Sequence, residues 1–532
     1  MSPGSKIVII GGGHNGLTAA ALLARAGREV VVLEARDVLG GLAARQEFHD
    51  GFSAPGLLHH TSGVRRTLIE SLDLARHGLE WRTPPDIWAP SSGSRGQNEG
   101  QSKNKAGGLW LRGDQLDGDV ARGDAENFSR FRGFISRLAR VIRPLMSGPP
   151  PDPRGKLLPL LFLGLDIRRL GAADMTELLR VAPMPVADWM RDSFDDERLC
   201  AAVASPALHG TFTGPWSPHT ATNLLVRECL AGSEVLGGPA ALVDALAKAA
   251  KSHGAELRTG ARVKAITLDR QATGVTGVEL EDGESLEADT VLSTCDPRTT
   301  FFGLIGRRRL SAGFAADIAH IRMRGTTAKV NLAIEGALTT SSGEQVEALR
   351  TGETLDDLER AYDAVKYGRF SRRPVLDVRV PSLSDPELCP EGHHVVSILA
   401  HFAPFELQGG DGDDDGESGG GWDDAQREAL GQSVVDALAA HFPDLPDRIQ
   451  GREVLTPADI AGRHGVTGGH IHHGEHAPDQ LAFLRPTIQC ASYATPIAGL
   501  YLGGSGSHPG GGITCAPGAL AARAVLKGKK RG

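Results

Sequence analysis

Residues 11–16 of this chain, Gly11-Gly-Gly13-His14-Asn15-Gly16, have the types and spacing to hold a pyrophosphate. Glycine permits a tight turn at the first position, close backbone approach to phosphate at the second, and close helix–strand packing at the third. Free N–H groups and the dipole at a helix N-terminus supply the anion site. Glu34 closes the next apolar run, Glu29-Val-Val-Val-Leu33, where a carboxylate can accept hydrogen bonds from an adenosine ribose. His14, Asn15, Ala35 and Arg36 flank these positions and join the candidate cofactor contacts. Histidines are the candidates for proton handling. His508, inside a late glycine loop, comes first, followed by His59 and His60, which come after the first cofactor block.

Three further segments bear on chemistry. Gly40 and Gly41 follow the acid in Glu34-Ala-Arg-Asp-Val-Leu-Gly-Gly41, which resembles the FAD version of the dinucleotide fingerprint rather than the NAD version. Gly503-Gly-Ser-Gly-Ser-His-Pro-Gly-Gly-Gly512 lies between the strand Leu500-Tyr-Leu502 and an alanine-rich helix, so its backbone can press on a flat or charged ligand. His470, His472, His473, Glu475 and His476 have metal-ligand side chains, but alternation over so short a stretch scatters them, and no metal is expected. Asp411-Gly-Asp413-Asp-Asp415-Gly416 begins like a calcium loop, yet Trp422 stands where the bidentate Glu is required.

These residues need strands and helices to hold them. Lys6-Ile-Val-Ile-Ile10 and Glu29–Leu33 read as buried parallel strands around a helix. A helix over 237–250, strands at 255–259, 263–268, 277–280 and 289–293, and the strand at 500–502 complete a nucleotide fold. The fold class is α/β: a Rossmann-like FAD-binding domain, a parallel sheet with helices, carrying an inserted α+β substrate domain. Segments 1–90, 232–300 and 455–532 form the first, and 109–231 and 301–454 the second. Residues 91–108 and 409–421 are polar and read as flexible loops, and Gly148–Pro153 as a stiff connector.

Composition bounds the partners. The 532 residues carry a net charge of −8, without the overall basic signature of a nucleic-acid binder. Six scattered cysteines form no C-x-x-C pair, which fits free thiols in a reducing compartment. The first strand begins at residue 6, leaving no room for a targeting segment, so a cytoplasmic, intracellular location is expected. No eighteen-residue apolar run suggests a membrane span. Leu157–Leu165 is read as a core helix or pocket wall, with peripheral membrane contact as the alternative.

Taken together, these segments resemble the phytoene desaturase and carotenoid isomerase branch of FAD-dependent oxidoreductases. Gly11–Gly41, Gly237–Pro297, Gly468–Pro486 and Tyr493–Gly518 carry the likeness. The resemblance implies that Gly11, Gly13 and Gly16 face the pyrophosphate and that Glu34 faces the ribose. Gly40 and Gly41 would line the cofactor, and Val263 would touch the adenine. Gly504 and Ser505 would lie by the ribitol, with Gly512 and Ile513 against the flavin ring. It also raises a mitochondrial location. Leu42 departs from the Arg or Ala of many relatives, and Ser505 stands where amine oxidases usually carry an acid. There is no second glycine fingerprint for a nicotinamide. The expected activity is hydride removal from, or isomerisation of, an apolar small molecule through the flavin, with oxygen or a quinone as acceptor. The alternative is a flavin-binding regulatory protein that acts through a protein partner. The oligomeric state is not fixed by the sequence.

Overall fold

The computed structural model describes residues 6–91, 107–121, 123–151, 158–408 and 421–528. Five parallel strands form the nucleotide sheet, in the order Glu256–Arg258, Glu29–Leu33, Lys6–Ile10, Thr290–Ser293 and Leu500–Leu502. Side chains alternate between the faces of a strand, so an apolar run buries both faces at once. Ile7, Ile9, Val30 and Val32 pack under the helices His14–Arg25, Gly238–Ser252 and Ala516–Lys527. Val8, Ile10, Val31 and Leu33 pack under a three-stranded antiparallel layer, Val263–Leu268, Val275–Leu280 and Ser285–Glu287. Phe301, Phe314 and Ile318 close the same core, so the start of the 301–454 segment belongs with the nucleotide domain.

The second sheet has eight strands. Its order is Ile449–Leu455, Thr327–Glu335, His393–His401, Val375–Arg379, Ala348–Arg350, Ile87–Ala89, Leu109–Arg112 and Gln115–Asp117. Ile87–Ala89 thus leaves the 1–90 segment and joins the substrate domain. One face of the central strands, including Val330, Leu332, Leu376, Val378, Val396 and Ile398, packs on Leu430, Val434 and Leu438 of the helix Asp424–Ala439. The opposite face carries Lys329, Asn331, Asp377, Ser397 and His401, all of them buried. An antiparallel sheet commonly turns such a face to water. Here His59 and His60 of the nucleotide domain and His209 of the helical region cover it. Helices Asp124–Met146, Val186–Ser193, Glu197–Ala204 and Thr220–Leu230 enclose a further apolar core.

From Leu161 onward, the apolar run near residue 160 is not core. It lies on the helix Leu158–Arg168, where Leu161 is 69%, Phe162 58% and Leu165 41% exposed. Among the described residues, no helix is long and apolar enough to cross a membrane. All six cysteines are free thiols. The calcium-like stretch 411–416, most of the two polar loops, residues 152–153 of the connector and the tail after Gly528 lie outside the described residues.

Candidate active site

The glycine turn is built as its residue types require. Gly11 has φ +97°, and a Cβ on Gly16 would lie 2.0 Å from the Gly11 carbonyl oxygen. Glu34 holds the turn directly. Its Oε2 accepts from the Gly12 N–H (2.8 Å) and its Oε1 from the Arg36 N–H (2.9 Å). The Gly40 N–H donates to the Gly12 carbonyl (2.8 Å), and Gly13 bridges to Gly40, with Gly41 stacked on Gly13. Ala35 is half-buried between Glu34 and Arg36, whose guanidinium reaches the Gly41 carbonyl (3.4 Å). The Ala261 N–H donates to the Glu34 carbonyl (2.8 Å), which sets the strand bearing Val263 beside the acid.

The C-terminal loop returns to this turn. Asn15 Nδ2 donates to Ser505 Oγ (3.3 Å), and Asn15 Oδ1 accepts from the Gly518 N–H (3.3 Å). Gly504 sits so close to Thr294 that a Cβ would lie 2.2 Å from its carbonyl oxygen. Gly512 has φ +83° with open space at its Cβ position, and Ile513 is buried beside it. His14 is buried with Nε2 unpartnered, and burial together with nearby His473 pushes its pKa down to about 4. The helix N-terminus at Gly13, the acid, the orphaned imidazole nitrogen and the packed glycines together fit an FAD.

The His-rich segment is a structural turn. His470 Nδ1 accepts from the N–H groups of His472 (3.2 Å) and Gly474 (3.3 Å). Glu475 is taken by Arg322 (3.1 Å) and Arg324 (2.7 Å). At its centre, buried Arg485 donates to the carbonyls of His472 (2.7 Å), Gly474 (3.1 Å), Glu475 (3.1 Å), Gln480 (3.3 Å) and Ser505 (2.9 Å). This guanidinium clamps the turn to the C-terminal loop. His508 also serves packing. Its Nε2 donates to the Leu145 carbonyl (3.3 Å) at the end of the helix Asp124–Met146, and burial pushes its pKa down to about 4. It does not line the cavity that the neighbouring Pro509–Thr514 do.

That cavity, of about 490 Å³, lies between the C-terminal loop, the helical region and the polar face of the second sheet. His60 lines it and His59 stands behind. Both donate from Nε2 to Asp377 Oδ1, at 3.0 Å and 3.2 Å. His60 Nδ1 accepts from Arg379 (3.2 Å), and His59 Nδ1 accepts from Ser397 Oγ (3.1 Å), which in turn accepts from the Lys329 ammonium. His209 Nε2 stands 3.3 Å from Asp377 Oδ2 and stacks on His401. Burial pushes Asp377 up, but the charges and hydrogen bonds of His60 and His59 outweigh it and hold it well below the usual carboxylate range. Burial pushes Lys329 down to about 7 against the pull of Glu453 and Asp377.

His59, His60 and Asp377 bring their ligand atoms within 4.8 Å of one another. The two imidazoles converge on one carboxylate oxygen as hydrogen-bond donors, and Arg350 lies 3.8 Å from the other oxygen. A cation would displace donors already seated and meet the guanidinium. Sequence reasoning found His59 and His60 but missed Asp377, His209, Arg227, Arg350 and Lys329. One signal was available: Asp377 and Arg379 in Val375–Arg379, and Thr327, Lys329 and Asn331 in Thr327–Glu335, stand two residues apart along a strand.

A parallel sheet with a glycine turn, an acid on its second strand and a returning C-terminal glycine loop defines a two-domain FAD-binding oxidoreductase architecture. The sequence model of the flavin containing amine oxidoreductase family matches residues 16–525, and the chain belongs to this family. It is 33% identical to the rat pyridine nucleotide-disulfide oxidoreductase domain-containing protein 2, over 100% of this chain and 94% of that protein. It is 26% identical to the hydroxyneurosporene desaturase of Cereibacter sphaeroides, over 98% of this chain and 97% of the relative. Among solved structures, an oxidoreductase from Methanosarcina mazei has the same fold, with a TM-score of 0.57 at 18% identity, covering 98% of this chain and 100% of that one. The chain is an FAD-dependent oxidoreductase; bound FAD supplies a two-electron acceptor that the side chains themselves lack.

Proposed function

We propose that the chain removes hydride from a C–H bond of a largely apolar small molecule held in the 490 Å³ cavity, with oxygen or a quinone as terminal acceptor. A redox-neutral isomerisation is the other course open to the same site. Oxidation takes two electrons and two protons from the substrate. One proton leaves with the electron pair as hydride, the second passes to solvent, and oxygen or the quinone takes up the electrons. The observation that carries this reading is the cavity itself. It opens against Gly510–Ile513 of the C-terminal loop and is walled by Ile87, Leu111, Phe128, Phe131 and Leu230. Its histidines have their lone pairs engaged: His60 by Arg379 (3.2 Å), His209 by Arg227 (2.7 Å) and His476 by the Gly511 N–H (3.0 Å). They orient and hold the polar wall, and hydride removal requires no side-chain nucleophile.

Exposed Leu161, Phe162, Leu165 and Leu179 support a peripheral contact with a lipid surface, by which an apolar substrate would be delivered. Co-sedimentation with phospholipid vesicles tests that contact. The main reading is tested by an absorbance spectrum of the purified protein, followed by anaerobic titration with a panel of apolar compounds. Bleaching of the flavin by a panel member is the expected result. A colourless preparation that takes up no FAD overturns it, and a flavin that no compound reduces, in a protein held by a stable partner, favours a regulatory role instead.

A further inference from the structure

Five arginines line the cavity, Arg65, Arg132, Arg227, Arg350 and Arg379, together with Asp86, Glu228 and Glu234, and Asp377 stands behind them. Arg379 pairs with Glu234 (3.1 Å), Arg132 with Glu228, and Arg350 approaches Asp377 (3.8 Å). Arg227 lines the same cavity and has no carboxylate partner among the described residues. Its Nη1 donates to the Pro206 carbonyl (3.1 Å) and to His209 Nδ1 (2.7 Å), while its Nε and Nη2 make no hydrogen bond to the described residues. A guanidinium carries five N–H donors, and a cation set deep in a protein is normally paired. Burial acts against its charge, as does the neighbouring Arg350, while Asp377 and Glu228 only partly offset them, and its pKa falls to about 10. Ile87, Leu111, Phe128, Phe131 and Leu230 line the remainder of the cavity.

We infer that the substrate is an amphipathic carboxylate whose head group seats on Arg227 and whose apolar chain lies along Phe128, Phe131 and Leu230. Arg65 lines the same cavity without a carboxylate partner among the described residues, but its Nη1 is committed to the Leu230 carbonyl (2.7 Å). The unused Nε and Nη2 of Arg227 form the fork that takes a carboxylate in two parallel bonds. A hydrocarbon in the same place would leave the guanidinium buried without a counter-charge. The inference deepens the proposed function, since it assumes that this cavity is where substrate is held.

The test is isothermal titration calorimetry of the purified full chain with decanoate, decanol and decyl phosphate, a readout that needs no turnover. Decanoate is expected to bind about tenfold to a hundredfold more tightly than decanol, the range of a hydrogen-bonded buried charge. Arg227→Met should abolish that preference and Arg227→Lys should keep part of it, with retention of flavin as the check on folding. Equal binding of decanoate and decanol by the natural chain, or a preference that survives Arg227→Met, overturns the inference. Tighter binding of decyl phosphate overturns the carboxylate assignment. The two readings fail separately: decanoate bound selectively to a protein whose flavin no compound reduces leaves the head-group site standing and removes the oxidoreductase mechanism.

Discussion

Replacing Glu34 by Gln should loosen the glycine turn even when no FAD is bound. Both carboxylate oxygens are committed to backbone donors of the apoprotein, Oε2 to Gly12 (2.8 Å) and Oε1 to Arg36 (2.9 Å), in a site where Glu34 is 7% exposed. An amide keeps one acceptor and turns an NH₂ group toward the other N–H. One charge-assisted bond is lost, about 1.5–3 kcal/mol, and a buried donor is left unpaired at about 1–3 kcal/mol more. A net cost of roughly 3 kcal/mol corresponds to about a hundredfold change in the local opening equilibrium. Hydrogen exchange of the apoprotein, followed in the peptide spanning residues 6–17, should therefore speed up about a hundredfold, while peptides from the second sheet exchange as before. FAD affinity should fall as well, because the turn that presents the phosphate donors is no longer fixed. Unchanged protection of this peptide in the Glu34→Gln apoprotein would refute the reasoning and confine the acid to a contact with the ribose.

Two further substitutions separate structure from chemistry. Arg485→Met strands four buried carbonyls, at His472, Gly474, Gln480 and Ser505, and leaves that of Glu475 to the Gln480 side-chain amide (3.3 Å). A loss of at least about 4 kcal/mol is expected, with release of FAD on mild heating, and Arg485→Lys should rescue little because an ammonium has only three donors; retention of FAD by the Met variant at the temperature where the natural chain retains it would contradict the clamp. For Lys329, burial moves the pKa from 10.5 to about 7, a penalty on the charged form of roughly 5 kcal/mol at about 1.4 kcal/mol per tenfold. Below pH 7 the folded and unfolded chains both hold the proton and the penalty is complete. Above pH 7 the folded chain sheds the proton while the unfolded chain keeps it up to 10.5, so this group's contribution to stability rises with pH through that window. Lys329→Met should accordingly raise the melting temperature most at pH 6 and progressively less toward pH 9; a gain independent of pH would show that the lysine keeps its proton in the fold throughout.

The nucleotide half of the molecule was legible because its signals are local. Each glycine of the first turn lies within a few residues of the strand or helix it joins, and Val263–Leu268 and Leu500–Leu502 form strands where the pattern predicts them. The cavity half was not legible, because its residues meet only through the second sheet. Asp377 sits on one strand, Ser397 and Lys329 on two others, and His59 comes from the nucleotide domain. The alternation in Thr327–Glu335 announces one polar face, but whether that face meets water or another domain is decided by what packs on it. The same limit explains Leu161, Phe162 and Leu165. An apolar run has the same composition whether it lies inside a core or on a surface, and here too few neighbours cover it.

The two arginines at 227 and 485 make this point most sharply. Arg485 is buried beside the C-terminal loop and Arg227 lines the cavity against it, neither has a carboxylate partner among the described residues, and nothing in their flanking residues separates them. Five carbonyls surround Arg485, so its charge is spread over backbone dipoles that are already in place and cannot leave. Arg227 has one carbonyl and one imidazole nitrogen, both on Nη1, with the rest of its fork unbonded at the cavity. A buried cation with its acceptors built in is part of the fold. One with acceptors missing on the side of an open cavity is completed only by what enters, and this physical difference makes Arg485 a clamp and Arg227 a recognition element.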